Sequence, residues 1–317
     1  MSNLRVGIIG ATGGIGKLRC QYFTESPASE IVAVCARTPE AVREIAEQYG
    51  ARSYYIRWED LVADPDVTAV SVASSNASHY AITRAALEAG KHVCVEYPLA
   101  QNVEQYDELF GIAEARQVIL HDALTVRAEA LHNALRNNFD RIGSPVWAHY
   151  RYYGGGTATW YIDPEPRGNP FIALHIHFIE QQIDFFGQPK WIEATQWETS
   201  AGGKRISGNV MMGFRDAVTG YMEFGMGFPA NPSYQITYLG SDGFLEFNNR
   251  KLNLHTADGV EAIEIGENRA LKLDTDNFVA QALSGEQPLS SPVVGRRAIE
   301  LCLAATRSAT ENQRVEV

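Results

Sequence analysis

Three sets of residues in this chain have the types and spacing to do chemistry. The first is Gly10-Ala11-Thr12-Gly13-Gly14-Ile15-Gly16, which follows a short apolar run and opens a helical pattern. Glycine there lets the turn take φ values that a Cβ resists, and lets the backbone close on a phosphate at a helix N-terminus. The spacing is G-x-x-G-x-x-G, one residue longer than the usual dinucleotide G-x-G-x-x-G. Gly10, Thr12, Gly13, Gly14 and Ile15 are the expected pyrophosphate cradle. The second set is Ala36-Arg37-Thr38, at the end of the second apolar run. An NAD site usually has an acid there for the ribose hydroxyl, and this chain has none. Arg37, with Thr38, could instead hold a 2′-phosphate through charge-assisted bonds. The cofactor expected is therefore NADP(H), ahead of NAD(H).

The third set is Tyr97 and His177. Tyr97 follows the fourth apolar run, at the carboxyl edge where open α/β sheets bind ligands. A phenol with a pKa of about 10 is protonated at neutral pH and can donate to a carbonyl or a developing oxyanion. The alternative is that Tyr97 only packs beside the cofactor. His175 and His177 are two apart on a helix, so they point about 200° from each other and cannot share a site. Glu180 shares a face with His177, but no third metal ligand is evident. The stretch from Tyr152 to Pro170 is long for a plain connection. Trp160 and Tyr161 offer flat faces there, and Arg151 and Arg167 offer cations, a plausible cover for a planar acidic substrate.

Those residues need a frame. Apolar runs at 4–9, 31–35, 68–73, 91–95 and 117–120 alternate with helical patterns at 15–25, 39–49, 78–89 and 102–115. The alternation predicts a parallel, doubly wound sheet, and the unbroken apolar character fits strands buried on both faces. Past about residue 125 the pattern changes. Helices are expected over 128–138, 171–186, 273–284 and 293–311, with strands near 145–153, 208–214, 219–227, 233–239 and 243–248. The expectation is an α/β protein: a Rossmann domain over residues 1–124, and over 125–317 an α+β domain with a mostly antiparallel, open-faced sheet. Met211, Met212, Phe214, Tyr221, Phe224 and Met226 suggest that the open face is apolar, which predicts a homodimer or homotetramer built through it.

Composition narrows the partners. The 317 residues carry a net charge of −11. An acidic surface repels nucleic-acid backbones and anionic lipid, so neither is expected as a partner. No apolar run approaches the ~18 residues of a membrane span, and the N-terminus lacks a signal-peptide pattern. The four cysteines show no CxxC spacing, which fits buried thiols in a reducing cytoplasm.

Two segments resemble a known family. Ala73-Ser74-Ser75-Asn76-Ala77-Ser78-His79 is similar to the A-T-P-N-x-x-H segment of the Gfo/Idh/MocA oxidoreductases. Gly90-Lys91-His92-Val93-Cys94-Val95-Glu96-Tyr97-Pro98-Leu99-Ala100 resembles their G-K-H-V-x-x-E-K-P-L-A segment. The resemblance implies hydride transfer with a nicotinamide cofactor. It places Ser74, Asn76, His79 and Glu96 at that cofactor, and Tyr97 and His177 toward a small-molecule substrate, to which the residue types of Trp160 and Arg167 add. The chain departs from the family where Tyr97 replaces its lysine, and where Ala173 and His175 replace the aspartate and glycine of D-x-G-x-H, leaving His177 in the histidine place. The E-Y-P variant resembles biliverdin reductases. V-E-x-P-L-A and the E-P-R before His177 resemble 4-carboxy-2-hydroxymuconate semialdehyde dehydrogenases. Two other functions stay open: a sugar or polyol dehydrogenase, and an NADPH-binding sensor without turnover.

Overall fold

The computed structural model describes residues 3–155, 163–199, 205–228 and 233–317. Its strands, among the described residues, form one sheet of six and one of nine. The six-stranded sheet is all parallel, in the order β3-β2-β1-β4-β5-β6. Its strands are β1 (Leu4–Ile9), β2 (Ser29–Cys35), β3 (Ser53–Tyr55), β4 (Ala69–Val72), β5 (His92–Glu96) and β6 (Leu120–Ala123). The crossovers are α1 (Gly14–Glu25), α2 (Pro39–Tyr49), α3 (Trp58–Ala63), α4 (Asn76–Glu88) and α5 (Val103–Arg116). β4 and the central run of β1 are buried throughout, as two-sided strands require. The strand order reverses between β1 and β4. That switch point is where the carboxyl ends of the strands open a crevice.

The first compact unit comprises Met1–Ala128 and Arg269–Arg296. The second comprises Glu129–Asn268 and Arg297–Val317. The expected boundary at 124 took no account of the later segment. The reason for its return is packing: on α9 (Ala270–Ser284), Phe278 and Val279 enter the same core as Val6, Ile8 and Phe23. A buried charge adds to this, because Arg19 on α1 binds both Asp274 and Thr275 at 2.7 Å.

The second unit carries α6 (Ala130–Asn138), β7 (Pro145–Gly155), a short α7 (Pro164–Arg167) and α8 (Pro170–Phe186). Asn169 caps α8 by accepting from the amides of Phe171 and Ile172, and Pro170 sits at the start where its missing N–H costs nothing. The remaining strands are β8 (Trp191–Thr199), β9 (Arg205–Gly213), β10 (Thr219–Phe228), β11 (Ser233–Gly240), β12 (Gly243–Asn248), β13 (Lys251–Thr256), β14 (Gly259–Ile263) and β15 (Val315–Glu316). α10 (Pro292–Glu311) precedes β15. The sheet order is β14-β13-β12-β11-β7-β10-β9-β8-β15, antiparallel except between β7 and β10.

The expected apolar open face needs correction. Side chains alternate along a strand, so Met211 and Met212 face opposite ways. Met212, Phe214, Phe224 and Met226 are buried. Phe214 packs on Phe186 and Phe224 on His175, both from α8. The far face holds a concavity of about 580 Å³, lined by Tyr153, Thr195, Trp197, Asn209, Tyr221 and Glu223 among others. Aromatic rings mixed with polar groups, rather than methionines, characterise it.

Candidate active site

In the first unit the glycine turn closes the switch point. Gly10 has φ +85°, and its amide donates to Cys35 O at 2.9 Å. A Cβ on Gly10 would lie 2.2 Å from Ala73 O, and one on Gly16 would lie 2.1 Å from Gly10 O. Only glycine lets the ends of β1 and β4 and the start of α1 approach so closely. Gly13 precedes α1 without a side-chain cap, and Gly13, Gly14 and Ile15 are exposed, with open space beside Gly14. Thr12 is half-buried. Uncapped amides at an open helix start suit an anionic group.

Arg37 and Thr38 are exposed at the end of β2. Thr38 occupies the position before α2 without capping it. Arg37 has no hydrogen bond or ion pair among the described residues. Sequence reading missed two nearby acids. Glu59 and Asp60 lie close enough to Cys35 to add to burial in pushing its thiol up to about 12. They come from α3, whose short pattern gave no signal of its own.

The loops after β4 and β5 are tied together. His79 is buried, with Nδ1 3.0 Å from Pro98 O and Nε2 3.1 Å from Ser74 O. Burial lowers its pKa against the pull of those carbonyls, so the neutral ring donates to one of them. Ser74 Oγ lies 2.8 Å from Ser78 Oγ, and Asn76 is buried at the start of α4. Tyr97 follows β5 half-buried, joined to Pro98 by a cis peptide bond.

Glu96 was expected at the cofactor, but its carboxylate turns inward. Arg19 Nε donates to it at 2.7 Å, while burial raises its pKa against Arg19. The Arg19 guanidinium also binds Asp274, which accepts from or pairs with His121 Nε2 at 2.8 Å. Burial alone would raise the Asp274 pKa, but His121 and Arg19 hold it down to about 2. What Glu96 offers is a fixed backbone one residue before Tyr97. Cys94, His121 and Asp274 place three ligand-type atoms within 4.8 Å of one another, yet the cation of this cluster is already the Arg19 guanidinium. His92 is structural as well, accepting from the Ile119 amide at 3.0 Å.

In the second unit, His175 is fully buried with its ring centroid 3.9 Å from that of Phe224, and burial lowers its pKa to about 3. It is a neutral core histidine. His177 is half-buried, and burial lowers its pKa to about 4. Burial thus favours the neutral ring, which has one donor and one acceptor nitrogen. Arg167 was expected to face an acidic substrate. It is instead buried, with its guanidinium 3.4–3.5 Å from the Glu198 carboxylate. Arg151 is likewise held by Glu223 at 2.6 Å and Gln235 at 2.9 Å. Trp160 and Tyr161 lie outside the described residues.

The glycine turn, the uncapped α1 and the exposed Arg37 fit a dinucleotide cofactor on the first unit. An open parallel sheet with such a turn at its switch point is the arrangement of a dinucleotide-binding domain. The sequence pattern described as "Oxidoreductase family, NAD-binding Rossmann fold" matches residues 4–123, and that of the "GFO/IDH/MocA C-terminal domain" matches residues 138–246. The chain belongs to the GFO/IDH/MocA oxidoreductase family. It is 29% identical over 313 residues to 1,5-anhydro-D-fructose reductase of Ensifer adhaerens, covering 96% of this chain and 84% of that one. It is 31% identical over 212 residues to D-glucoside 3-dehydrogenase of Escherichia coli strain K12, spanning about half of that relative (55%) and 59% of this chain. Its fold superposes on biliverdin reductase from Synechocystis sp. PCC 6803, crystallised with biliverdin and NADP+, with a TM-score of 0.89. Identity there is 25%, over 97% of this chain and 99% of that one. No helix among the described residues is long and apolar enough to cross a membrane, and all four cysteines are buried, free thiols.

Proposed function

We propose that this enzyme is an NADP(H)-linked oxidoreductase acting on a carbonyl or alcohol carbon of a small, ring-shaped, hydroxyl-bearing substrate, with Tyr97 as the proton donor. One observation carries the reading. Tyr97 keeps the carboxyl edge of β5 in the place of the family lysine, while burial lowers the His177 pKa and favours its neutral ring. Gly10, Thr12, Gly13, Gly14 and Ile15 would hold the pyrophosphate, Arg37 and Thr38 the 2′-phosphate, and Ser74, Asn76 and His79 would shape the nicotinamide end. When bound, the cofactor supplies or takes a hydride. Tyr97 donates its phenolic proton to the oxygen of the reduced carbon, and His177 accepts a hydrogen bond.

Sequence reading favoured a planar or anionic substrate. The engagement of Arg167 and Arg151 by acids supports a neutral one instead, because an ion-paired guanidinium has little left for a second anion. The likeness to 1,5-anhydro-D-fructose reductase over most of both chains supports the same class. A linear tetrapyrrole is the second reading, favoured by the Glu96-Tyr97-Pro98 segment and the likeness to biliverdin reductase. The four buried thiols support a reducing, cytoplasmic setting.

The test is oxidation of NADPH, and separately NADH, by the purified protein with 1,5-anhydro-D-fructose or biliverdin. Turnover of the sugar with NADPH is expected. Turnover of biliverdin alone selects the second reading, and turnover of neither sinks both.

A further inference from the structure

Tyr97 lies just beyond the ladder that could fix it. The register of β5 with β6 ends where Glu96 stands opposite Ala123, and that with β4 ends one residue earlier, at Val95 and Val72. The sheet therefore sets the course of Glu96 but not that of the turn after it. Two buried side chains from outside the strand hold that turn, one on each side of Tyr97. Before it, Arg19 Nε donates to Glu96 Oε1 at 2.7 Å. After it, His79 Nδ1 stands 3.0 Å from Pro98 O, while Nε2 of the same ring stands 3.1 Å from Ser74 O. Arg19 belongs to α1 and His79 to α4, so neither depends on β5 for its place.

Arg19 is itself held. Its guanidinium donates from Nη1 to Thr275 Oγ1 and from Nη2 to Asp274 Oδ2, both at 2.7 Å. Asp274 is oriented in turn. Gln281 Nε2 donates to His121 Nδ1 at 2.7 Å, which leaves His121 Nε2–H to donate to Asp274 Oδ1 at 2.8 Å. Arg19, Asp274 and His121 are all buried. A planar guanidinium committed to three acceptors cannot swing. Buried ion pairs are a poor way to stabilise a core, since apolar side chains of like volume often do better. What this net achieves is a fixed geometry, and it ends on the residue before Tyr97.

We propose that Arg19 and His79 are positioning residues for Tyr97, and that Asp274 and Thr275 keep Arg19 in the orientation this needs. This rests on the reading of Tyr97 as the proton donor given above. A phenol passes its proton only from within about 2.6–3.2 Å of the accepting oxygen. A misplacement of about 1 Å can cost about 10²-fold in rate. With the carboxylate before it and the carbonyl after it both tied down, the turn cannot slide or twist, and the phenol keeps one reach. α1 also begins at the uncapped amides assigned to the pyrophosphate. One helix would thus hold the cofactor at its start and, through Arg19, the turn of the proton donor, so that the two reacting groups share a single rigid reference.

The experiment is a double-mutant cycle on the full chain. Arg19→Lys keeps the buried cation but loses the fork, and His79→Leu removes both ring nitrogens. Each is made in the unmutated chain and again in Tyr97→Phe. Oxidation of NADPH is followed with 1,5-anhydro-D-fructose or biliverdin, whichever is turned over, and NADPH affinity and thermal unfolding report on folding. Each single variant should lower kcat about ten-fold or more with KM changed far less. In Tyr97→Phe neither should lower kcat further, because the phenol through which they act is gone. Tyrosine isotope-labelled at Cζ gives a readout independent of turnover. The Tyr97 resonance, identified by its absence in Tyr97→Phe, should shift or broaden in both variants. Should Arg19→Lys not fold, His79→Leu carries the same test. Losses of equal size with and without the phenol, or an unmoved Tyr97 resonance, would overturn the positioning role and leave the proton donor in place. A Tyr97→Phe variant as active as the unmutated chain, or turnover of neither probe, sinks the reading of Tyr97 and this proposal with it.

Discussion

The Arg19 guanidinium and the Glu96 carboxylate meet at 2.7 Å inside the first unit, one residue before Tyr97. The arginine is fully buried and holds a second acid, Asp274, at the same distance. Removing it strands two carboxylates in the interior. Arg19→Met should cost about 3–5 kcal/mol, the usual penalty for breaking a buried pair from one side. Urea unfolding of the purified variant measures it, and a loss below about 1 kcal/mol would show that water reaches the cluster.

Arg37 is the proposed ligand of the 2′-phosphate. NADPH should bind about ten-fold or more tightly than NADH, and Arg37→Ala should remove most of that difference with NADH affinity nearly unchanged. Fluorescence titration of both reduced cofactors reads each case. Equal affinities in the unmutated chain would refute the assignment.

Proton transfer separates Tyr97 from His177. Tyr97→Phe should lower kcat by about 10²–10⁴-fold with NADPH affinity preserved. His177 is held near a pKa of about 4 by burial, so it should add no step to the rate profile across neutral pH. His177→Asn, which keeps a hydrogen-bonding atom, should retain more activity than His177→Ala. A larger loss in His177→Ala than in Tyr97→Phe would reverse the two roles.

Glu129 makes stability depend on pH in a definite direction. Burial raises its folded pKa to about 7, above an ordinary glutamate value of about 4.5. The folded state therefore holds the extra proton between those values. The associated stability is present below about pH 4.5 and is lost as pH rises through about 7. Glu129→Gln should be the more stable form above neutrality by about 1–3 kcal/mol, and the gap should close on acidification. His175 and His177 have lowered values, so they act the opposite way, losing stability as pH falls from about 6.5 through about 4 and then about 3. Guanidinium melts of both proteins across pH isolate the Glu129 part as a difference.

The far face of the second sheet is the expected self-association surface. Trp197 is half exposed there and stacks on Phe228. Light scattering at micromolar concentration should give a homodimer or homotetramer, and Trp197→Glu should shift it toward monomer. A monomeric unmutated chain would contradict the expectation.

The strands of the first unit were legible because burial on both faces leaves long unbroken apolar runs, and α2 was readable to its end from Pro39 to Gly50. β3 and α3 escaped notice because a three-residue edge strand and a six-residue helix carry too little periodicity. In the second unit the stretch from 190 to 265 reads as a meander of strands, but β14 has no bounds of its own in the sequence, since it is exposed along most of its length and shows no apolar alternation. The glycine turn could be found because φ and close contact restrict residue type at fixed spacing. Arg19 with Asp274 could not. Those partners are separated by 255 residues, and nothing local in either partner announces the other.

The path of the chain also bears on how this enzyme is made. It leaves the first unit after Ala128 and returns to it only at Arg269. A ribosome must therefore synthesise most of the second unit before α9 can reach Arg19 and the core around Phe23. Until then Arg19 has Glu96 but lacks Asp274 and Thr275, and the core around Phe23 lacks Phe278 and Val279. A gene fragment ending at residue 128 would encode that unfinished state. A separately expressed cofactor-binding unit would need residues 269–296 spliced on to close it.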